Sequence, residues 1–142
     1  MVWFEAAGLR LSVLNTKNMK KNNAHEDLVA WQKGHQLTLD VFRTVNTVDP
    51  VLFEFMKESA LRIVSQIAEG INKFSIEDRI SHLENAKGAS ARLSTQIILS
   101  GELNYITKER SEMLYAQSME VYKIISGLIK YIRKQSEQKQ LQ

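Results

Sequence analysis

The sequence predicts an all-α protein, an up-down-up-down antiparallel four-helix bundle, from three observations. Four segments carry apolar residues at helical spacing, short polar loops with start and stop signals join them, and no strand pattern competes. With 142 residues, 44% hydrophobic content and one proline, the chain can bury a single core. We expect the bundle to span residues 25–135, between a flexible basic leader at 1–24 and a polar C-terminal tail at 136–142 that frays.

Helices one and two are predicted by their apolar stripes and by the turn between them. Helix one spans about residues 27–46, with His35 on or beside its buried face. Asp49 is the expected N-cap of helix two, and Pro50 fits the first helical position because a proline there loses no hydrogen bond. Gly70 is the expected end of helix two. The stripe of helix two comprises Leu52, Met56, Ser59, Ala60, Ile63, Ile67 and Gly70.

Helices three and four are predicted in the same way. Ser75 and Asp78 resemble a capping box, so helix three should run from Ile76 to about residue 105. Gly88 costs about 1 kcal/mol of helix propensity relative to alanine, so we expect a packing reason for it, namely a close helix crossing. Helix four follows a turn at 107–110 and should end near 133.

The leader leaves two alternatives open. It lacks the basic start of a signal peptide, and Met19 is a second candidate initiator. Residues 1–18 are therefore either a translated upstream segment or an arm that contacts a partner.

Composition narrows the possible functions. The chain has no cysteine, which removes disulfides, thiolate zinc sites and cysteine nucleophiles. Its longest apolar runs fall far short of the roughly 20 residues that span a bilayer, so we expect a cytoplasmic protein with no membrane contact.

None of His25, His35 and His82 follows a glutamate by three residues, the spacing of di-metal bundles. Glu69 and Glu84 are candidate paired carboxylates, but solvated acids are the favoured interpretation. We predict no catalytic residue, metal or cofactor.

The basic residues are the remaining candidates. The net charge is +3, but the leader alone carries +3, and residues 25–142 are neutral in sum. One basic group surrounds the hairpin of helices two and three, and the other lies on helix four at helical spacing. The two groups are Arg62, Lys73, Arg79, Lys87 and Arg92, and Lys123, Lys130, Arg133 and Lys134. A charged solvated face is the ordinary interpretation of both groups; the alternative is a phosphate-contacting nucleic-acid surface, for which these nine residues are the candidates.

Aromatic side chains suited to base stacking are not interleaved with these basic residues. Stacking of bases between aromatic side chains is therefore not expected. We expect any contact with structured RNA or DNA to be made through phosphates and to weaken with salt.

Four segments resemble one known family. They are Asp27-Leu-Val-Ala-Trp-Gln-Lys-Gly-His35, Gln66-Ile-Ala-Glu-Gly70, Ala86-Lys-Gly88 with Leu93 and Thr95, and Ile125-Ser-Gly-Leu-Ile129. Together they resemble the bacterial ribosomal RNA intervening-sequence proteins, a four-helix bundle family that includes relatives of the accessory protein of diversity-generating retroelements. The resemblance covers about residues 25–133. Gln66, Ala89 and Arg92 depart from the usual family pattern, and Arg92 favours a specialised member.

The resemblance implies a ring-forming bundle, typically a homopentamer, without catalytic activity. It also implies association with structured RNA, either ribosomal RNA or the template RNA of a retroelement together with its reverse transcriptase. Our leading hypothesis is a non-enzymatic scaffold that binds nucleic acid through phosphate contacts. The alternative is an oligomeric module that binds protein only.

Overall fold

Two short strands precede four helices in the computed structural model, which describes residues 2–6, 9–14, 25–26, 28–44 and 49–141. The strands are β1 (Val2–Ala6) and β2 (Leu9–Leu14); the helices are α1 (Val29–Phe42), α2 (Pro50–Ile71), α3 (Ile76–Glu102) and α4 (Lys108–Gln140). Each helix packs against its neighbour in sequence, and α1 also packs against α4, which closes the bundle. The predicted four-helix bundle is confirmed.

The leader contains regular structure that the sequence analysis did not predict. β1 and β2 pair antiparallel, with Ala6 opposite Leu9 and Val2 opposite Leu14. Residues 9–13 alternate apolar and polar side chains in sequence, which is the period of a strand. The expectation that no strand pattern competes is therefore wrong for this segment. The predicted flexibility of the leader stays a prediction, and Met19 lies outside the described residues.

The helix starts follow the predicted capping chemistry. The Asp49 carboxylate accepts hydrogen bonds from the amides of Val51 and Leu52 at 2.9 and 3.2 Å, and Pro50 is the first residue of α2. The Ser75 hydroxyl accepts from the Asp78 amide at 3.1 Å. These bonds satisfy N–H groups that have no partner within the helix.

The helix ends differ more from prediction. α1 ends at Phe42, whereas we expected about residue 46, and residues 45–48 lie outside the described part of the chain. α4 continues to Gln140, past the predicted end near 133 and through the predicted tail. Glutamine, lysine and glutamate are good helix formers, so the helix propagates there although it has lost its apolar face.

The core is built from the predicted stripes. Met56, Ile63 and Ile67 of α2 are completely buried, and so are Leu83 and Leu93 of α3. Burial of such side chains contributes about 1.5 to 3 kcal/mol each. The faces that contribute them fix the rotation of each helix about its axis, and hence which side chains point outward.

His35 is a correction to the prediction for α1. Its side chain is exposed, not part of the core, and its ring stacks on the half-buried Trp31 with 4.7 Å between ring centroids. Gly34, the preceding residue, takes the buried position instead, where a Cβ would lie 3.2 Å from Val64. The apolar period therefore passes beside His35 and not through it.

Two glycines have opposite surroundings. A Cβ on Gly70 would lie 2.7 Å from the Cβ of His82 and 3.3 Å from the Arg79 carbonyl oxygen. A Cβ on Gly88 would meet nothing within 4 Å. Gly70 therefore permits close packing of α2 against α3, and the packing reason that we predicted for Gly88 is wrong.

The pair Gly70→Ala and Gly88→Ala tests this assignment by chemical denaturation. Gly88→Ala should raise the free energy of unfolding by about 1 kcal/mol, because alanine is the better helix former. Gly70→Ala should lower it, because overpacking of about 1 to 3 kcal/mol outweighs the same propensity gain. Equal effects of the two substitutions would contradict the assignment.

Candidate nucleic-acid interface

A groove of about 630 Å³ lies between α3 and α4, on the half of the bundle nearest the α2–α3 turn. We call it the α3–α4 groove. Its lining residues are Glu84, Lys87, Ser126, Ile129, Lys130, Arg133, Lys134 and Glu137. Both helices contribute cations, so the groove is a surface that helix packing creates and that neither helix forms alone.

The spacing of the lining residues explains why they converge. The six that belong to α4 recur in steps of three, one, three, one and three, which keeps them on one face. Glu84 and Lys87 are three residues apart on α3 and so share a face as well. Ile129 is buried beneath the groove, and the longer polar side chains around it reach toward solvent.

Glu84 neutralises part of the positive charge. One carboxylate oxygen lies 3.6 Å from the Lys87 ammonium, and the other lies 3.6 Å from the Arg133 guanidinium. These groups are partly exposed, so each pair contributes little stability, about 0 to 1 kcal/mol. The main consequence of Glu84 is that two of the four cations in the groove, Lys87 and Arg133, already have an anionic neighbour.

Lys130 and Lys134 are the available cations. Both are exposed, and neither forms an ion pair with any residue in the described ranges. They are four residues apart on α4 and therefore adjacent on its surface. With four cations against Glu84 and Glu137, the lining keeps a positive excess that can attract an anion.

The other predicted basic residues lie elsewhere. Arg62 projects from α2 beside Glu58, at 3.9 Å, and Arg92 is exposed on a different face of α3 from Lys87. Arg79 donates a hydrogen bond of 2.7 Å to the Lys73 carbonyl oxygen at the α2–α3 turn. Lys123 is exposed on α4, seven residues before Lys130 and outside the groove lining. Of the predicted group around the α2–α3 hairpin, only Lys87 lines the α3–α4 groove.

Two aromatic side chains lie beside predicted basic residues. The Lys87 ammonium lies 5.5 Å from the centroid of the Tyr122 ring, which is a cation–π distance. Phe74 directly follows Lys73 in the α2–α3 turn and is fully exposed, at 101%. A helical neighbour on another helix cannot be read from one sequence, which is why the Tyr122 contact was missed.

Sequence reasoning also missed the acidic part of the groove. Glu84 was considered only as a possible partner of Glu69, but Glu69 lies 3.5 Å from His82 instead. The three-residue spacing of Glu84 and Lys87 is a signal that could have indicated their ion pair.

Within the described ranges, no group of three or more His, Asp or Glu side chains could hold a metal ion. None of the described helices is long and apolar enough to cross a membrane.

A second exposed surface lies near the α3–α4 turn, at the opposite end of the bundle. It is apolar, and Val51, Phe55 and Leu103 expose 64%, 53% and 54% of their surface there. A pocket of about 530 Å³ beside it is lined partly by Ile98, Gly101 and Tyr115. Exposed patches of this kind mark contact surfaces in soluble proteins. We call these residues, together with Leu99, the turn-end apolar surface.

Comparison with known proteins gives a family and a fold. The family model for the 23S rRNA-intervening sequence protein matches residues 26–127. A solved structure of a protein of unknown function from the S23 ribosomal protein family of Bacteroides thetaiotaomicron superposes with a TM-score of 0.69 at 21% identity. The match covers 72% of this chain and 99% of that one. No curated protein matches the chain.

The charge balance of the groove can be tested with heparin as a generic polyanion. Glu84→Gln removes the carboxylate between Lys87 and Arg133, so the variant should elute from a heparin column at higher salt than the wild type. Glu58→Gln is the matched control, because it removes one negative charge next to Arg62 on α2. An equal shift for both variants would mean that net charge, not the groove, determines retention.

Proposed function

Because the chain belongs to the 23S rRNA-intervening sequence protein family, we propose that it binds structured RNA through phosphate contacts and catalyses no reaction. The observation that carries the proposal is the convergence of Lys87, Lys130, Arg133 and Lys134 on the α3–α4 groove. We propose the cytoplasm as the place where it acts. The resemblance to intervening-sequence proteins makes ribosomal RNA the first candidate ligand.

Phosphate contact follows from the chemistry of the four cations. A lysine ammonium attracts a phosphate as a point charge with three donors, whereas a guanidinium can donate two parallel hydrogen bonds to it. Lys130 and Lys134 offer their charges without first breaking an ion pair within the described chain. Each phosphate that they neutralise releases counterions, so affinity falls with salt.

Glu84 changes the affinity of the groove for phosphate. A phosphate that approaches Arg133 competes with the carboxylate already 3.6 Å away. The competition lowers the affinity for isolated anions and favours a ligand that presents several phosphates at once. A folded RNA satisfies this requirement because its backbone places phosphates side by side.

We extend the proposal to assembly of the chain into a homopentameric ring. One groove with two unpaired lysines is a weak site, and repetition around a ring raises the effective affinity without any new contact. The turn-end apolar surface supports self-association, because a monomer would leave Val51, Phe55 and Leu103 in water. The pentameric number comes from the family resemblance and not from this surface.

The apolar surface also favours a second candidate function, an oligomeric module that binds a protein. A retroelement reverse transcriptase is the partner that the resemblance implies. Recovery of such a partner from nuclease-treated extract, together with no RNA affinity at low salt, would favour this candidate over RNA binding.

The double variant Lys130→Gln/Lys134→Gln tests the groove in a mobility-shift titration with a structured RNA hairpin. It should bind more weakly, and the slope of log affinity against log salt should fall by about two, one for each lost phosphate contact. Arg62→Gln/Arg92→Gln removes the same charge elsewhere and should keep the slope. If the control variant loses as much RNA affinity and salt slope as the groove variant, RNA is not bound at this groove.

Sedimentation equilibrium tests the ring. The wild type should sediment near five times the chain mass of 16.3 kDa. Phe55→Glu/Leu103→Glu should shift the protein toward the monomer, because buried unpaired carboxylates are costly. Leu61→Glu is the control, since Leu61 is an exposed leucine of α2 about two turns from Phe55. A monomeric wild type would end the assembly proposal.

A further inference from the structure

A pocket of about 270 Å³ lies at the end of the bundle that holds the α2–α3 turn. We call it the end pocket. All four helices or their caps contribute to it, and none of its residues lines the α3–α4 groove. Its lining residues are Leu28, Ile71, Ile76, Arg79, Leu128, Tyr131, Ile132, Gln135, Ser136 and Lys139.

The inner wall of the end pocket is apolar. Leu28 and Leu128 are buried at 1% and 4% exposure, and Ile71, Ile76 and Ile132 are half-buried beside them. The pocket is slightly smaller than the usual range for small-molecule sites, about 300 to 1,000 Å³. Its wall therefore fits a short hydrocarbon body, and it offers no acidic group to a cation.

The mouth of the end pocket is basic and polar. Arg79 and Lys139 are its only charged lining residues, and both are cations. The Arg79 Nε–H donates to the Lys73 carbonyl oxygen at 2.7 Å, which restrains the guanidinium. Gln135 and Ser136 add an amide and a hydroxyl. Three of these residues, Gln135, Ser136 and Lys139, lie on the part of α4 that extends past its predicted end.

We propose that the end pocket binds an amphiphilic anion, an alkyl carboxylate of short to medium length. The hydrocarbon part would displace water from the leucine and isoleucine wall, and the carboxylate would accept hydrogen bonds from Arg79 and Lys139. A phosphodiester has no hydrocarbon body to fill this wall, so the ligand class differs from that of the groove. The proposal also gives Arg79, which the groove does not use, a role.

Calorimetric titration of the full chain with straight-chain carboxylates from acetate to decanoate tests the proposal. Affinity should rise about threefold to fourfold for each added methylene and then level off once the pocket is full. The primary alcohol of the same length should bind about tenfold more weakly, because it lacks the charge. No binding by any member of the series, or no dependence on chain length, would overturn the proposal.

Two variants locate the site. Arg79→Gln/Lys139→Gln should abolish the preference for the carboxylate over the alcohol, while Lys130→Gln/Lys134→Gln, with the same charge change in the groove, should keep it. Ile132→Trp should fill the pocket and abolish binding of both ligands; its thermal unfolding checks that the bundle persists. A folded Ile132→Trp protein that binds as the wild type does, or an equal effect of both double variants, would also overturn the proposal.

Discussion

The contact between α3 and α4 at three buried serines is the constraint on which the α3–α4 groove depends. The Ser118 hydroxyl donates to the Ser90 carbonyl oxygen at 3.0 Å, and the Ser94 and Ser118 hydroxyl oxygens are 2.8 Å apart. Small side chains let the helices approach closely, and the hydrogen bonds satisfy hydroxyls that burial would otherwise penalise. The contact also fixes the register that brings Glu84 of α3 to Arg133 of α4. A shift of one turn would separate that pair.

The same contact explains why the groove opens toward the α2–α3 turn. Beyond Ser90, α3 carries the longer side chains of Lys87 and Glu84, and α4 carries Lys130 and Arg133 opposite them. Their stems cover the buried Ile129, and their charged ends stay in solvent. The basic surface is thus a direct consequence of core packing a few turns away.

The sequence predicted those features that local chemistry determines. Asp49 and Ser75 begin their helices as expected because capping bonds involve residues two and three positions away. The errors concern features that depend on the rotation of a helix about its axis and on its contacts with other helices. His35 and Gly88 both point outward, since apolar spacing locates a helical face only to within about one residue. The groove was only half predicted. Lys130, Arg133 and Lys134 line it but Lys123, grouped with them, does not, and Glu84 and Lys87 reach them across a helix interface that spacing within one helix cannot show.

Three cations of the groove, Lys130, Arg133 and Lys134, follow the last residue of the family match, at 127. The two proposed sites lie on one half of the bundle: the groove for phosphates and the end pocket for an amphiphilic anion. Both use the C-terminal half of α4, and Ser136, Glu137 and Lys139 lie in the segment that the sequence predicted to fray.

The most direct measurement of the central claim uses the absence of cysteine from the chain. A single cysteine placed at Lys130, or in a second protein at Arg62, carries a photoactivatable crosslinker, and each protein is irradiated with the same structured RNA. The account predicts RNA adducts from position 130 that far exceed those from position 62. Adducts from position 62 alone, or equal yields at both positions, would contradict RNA binding in the α3–α4 groove.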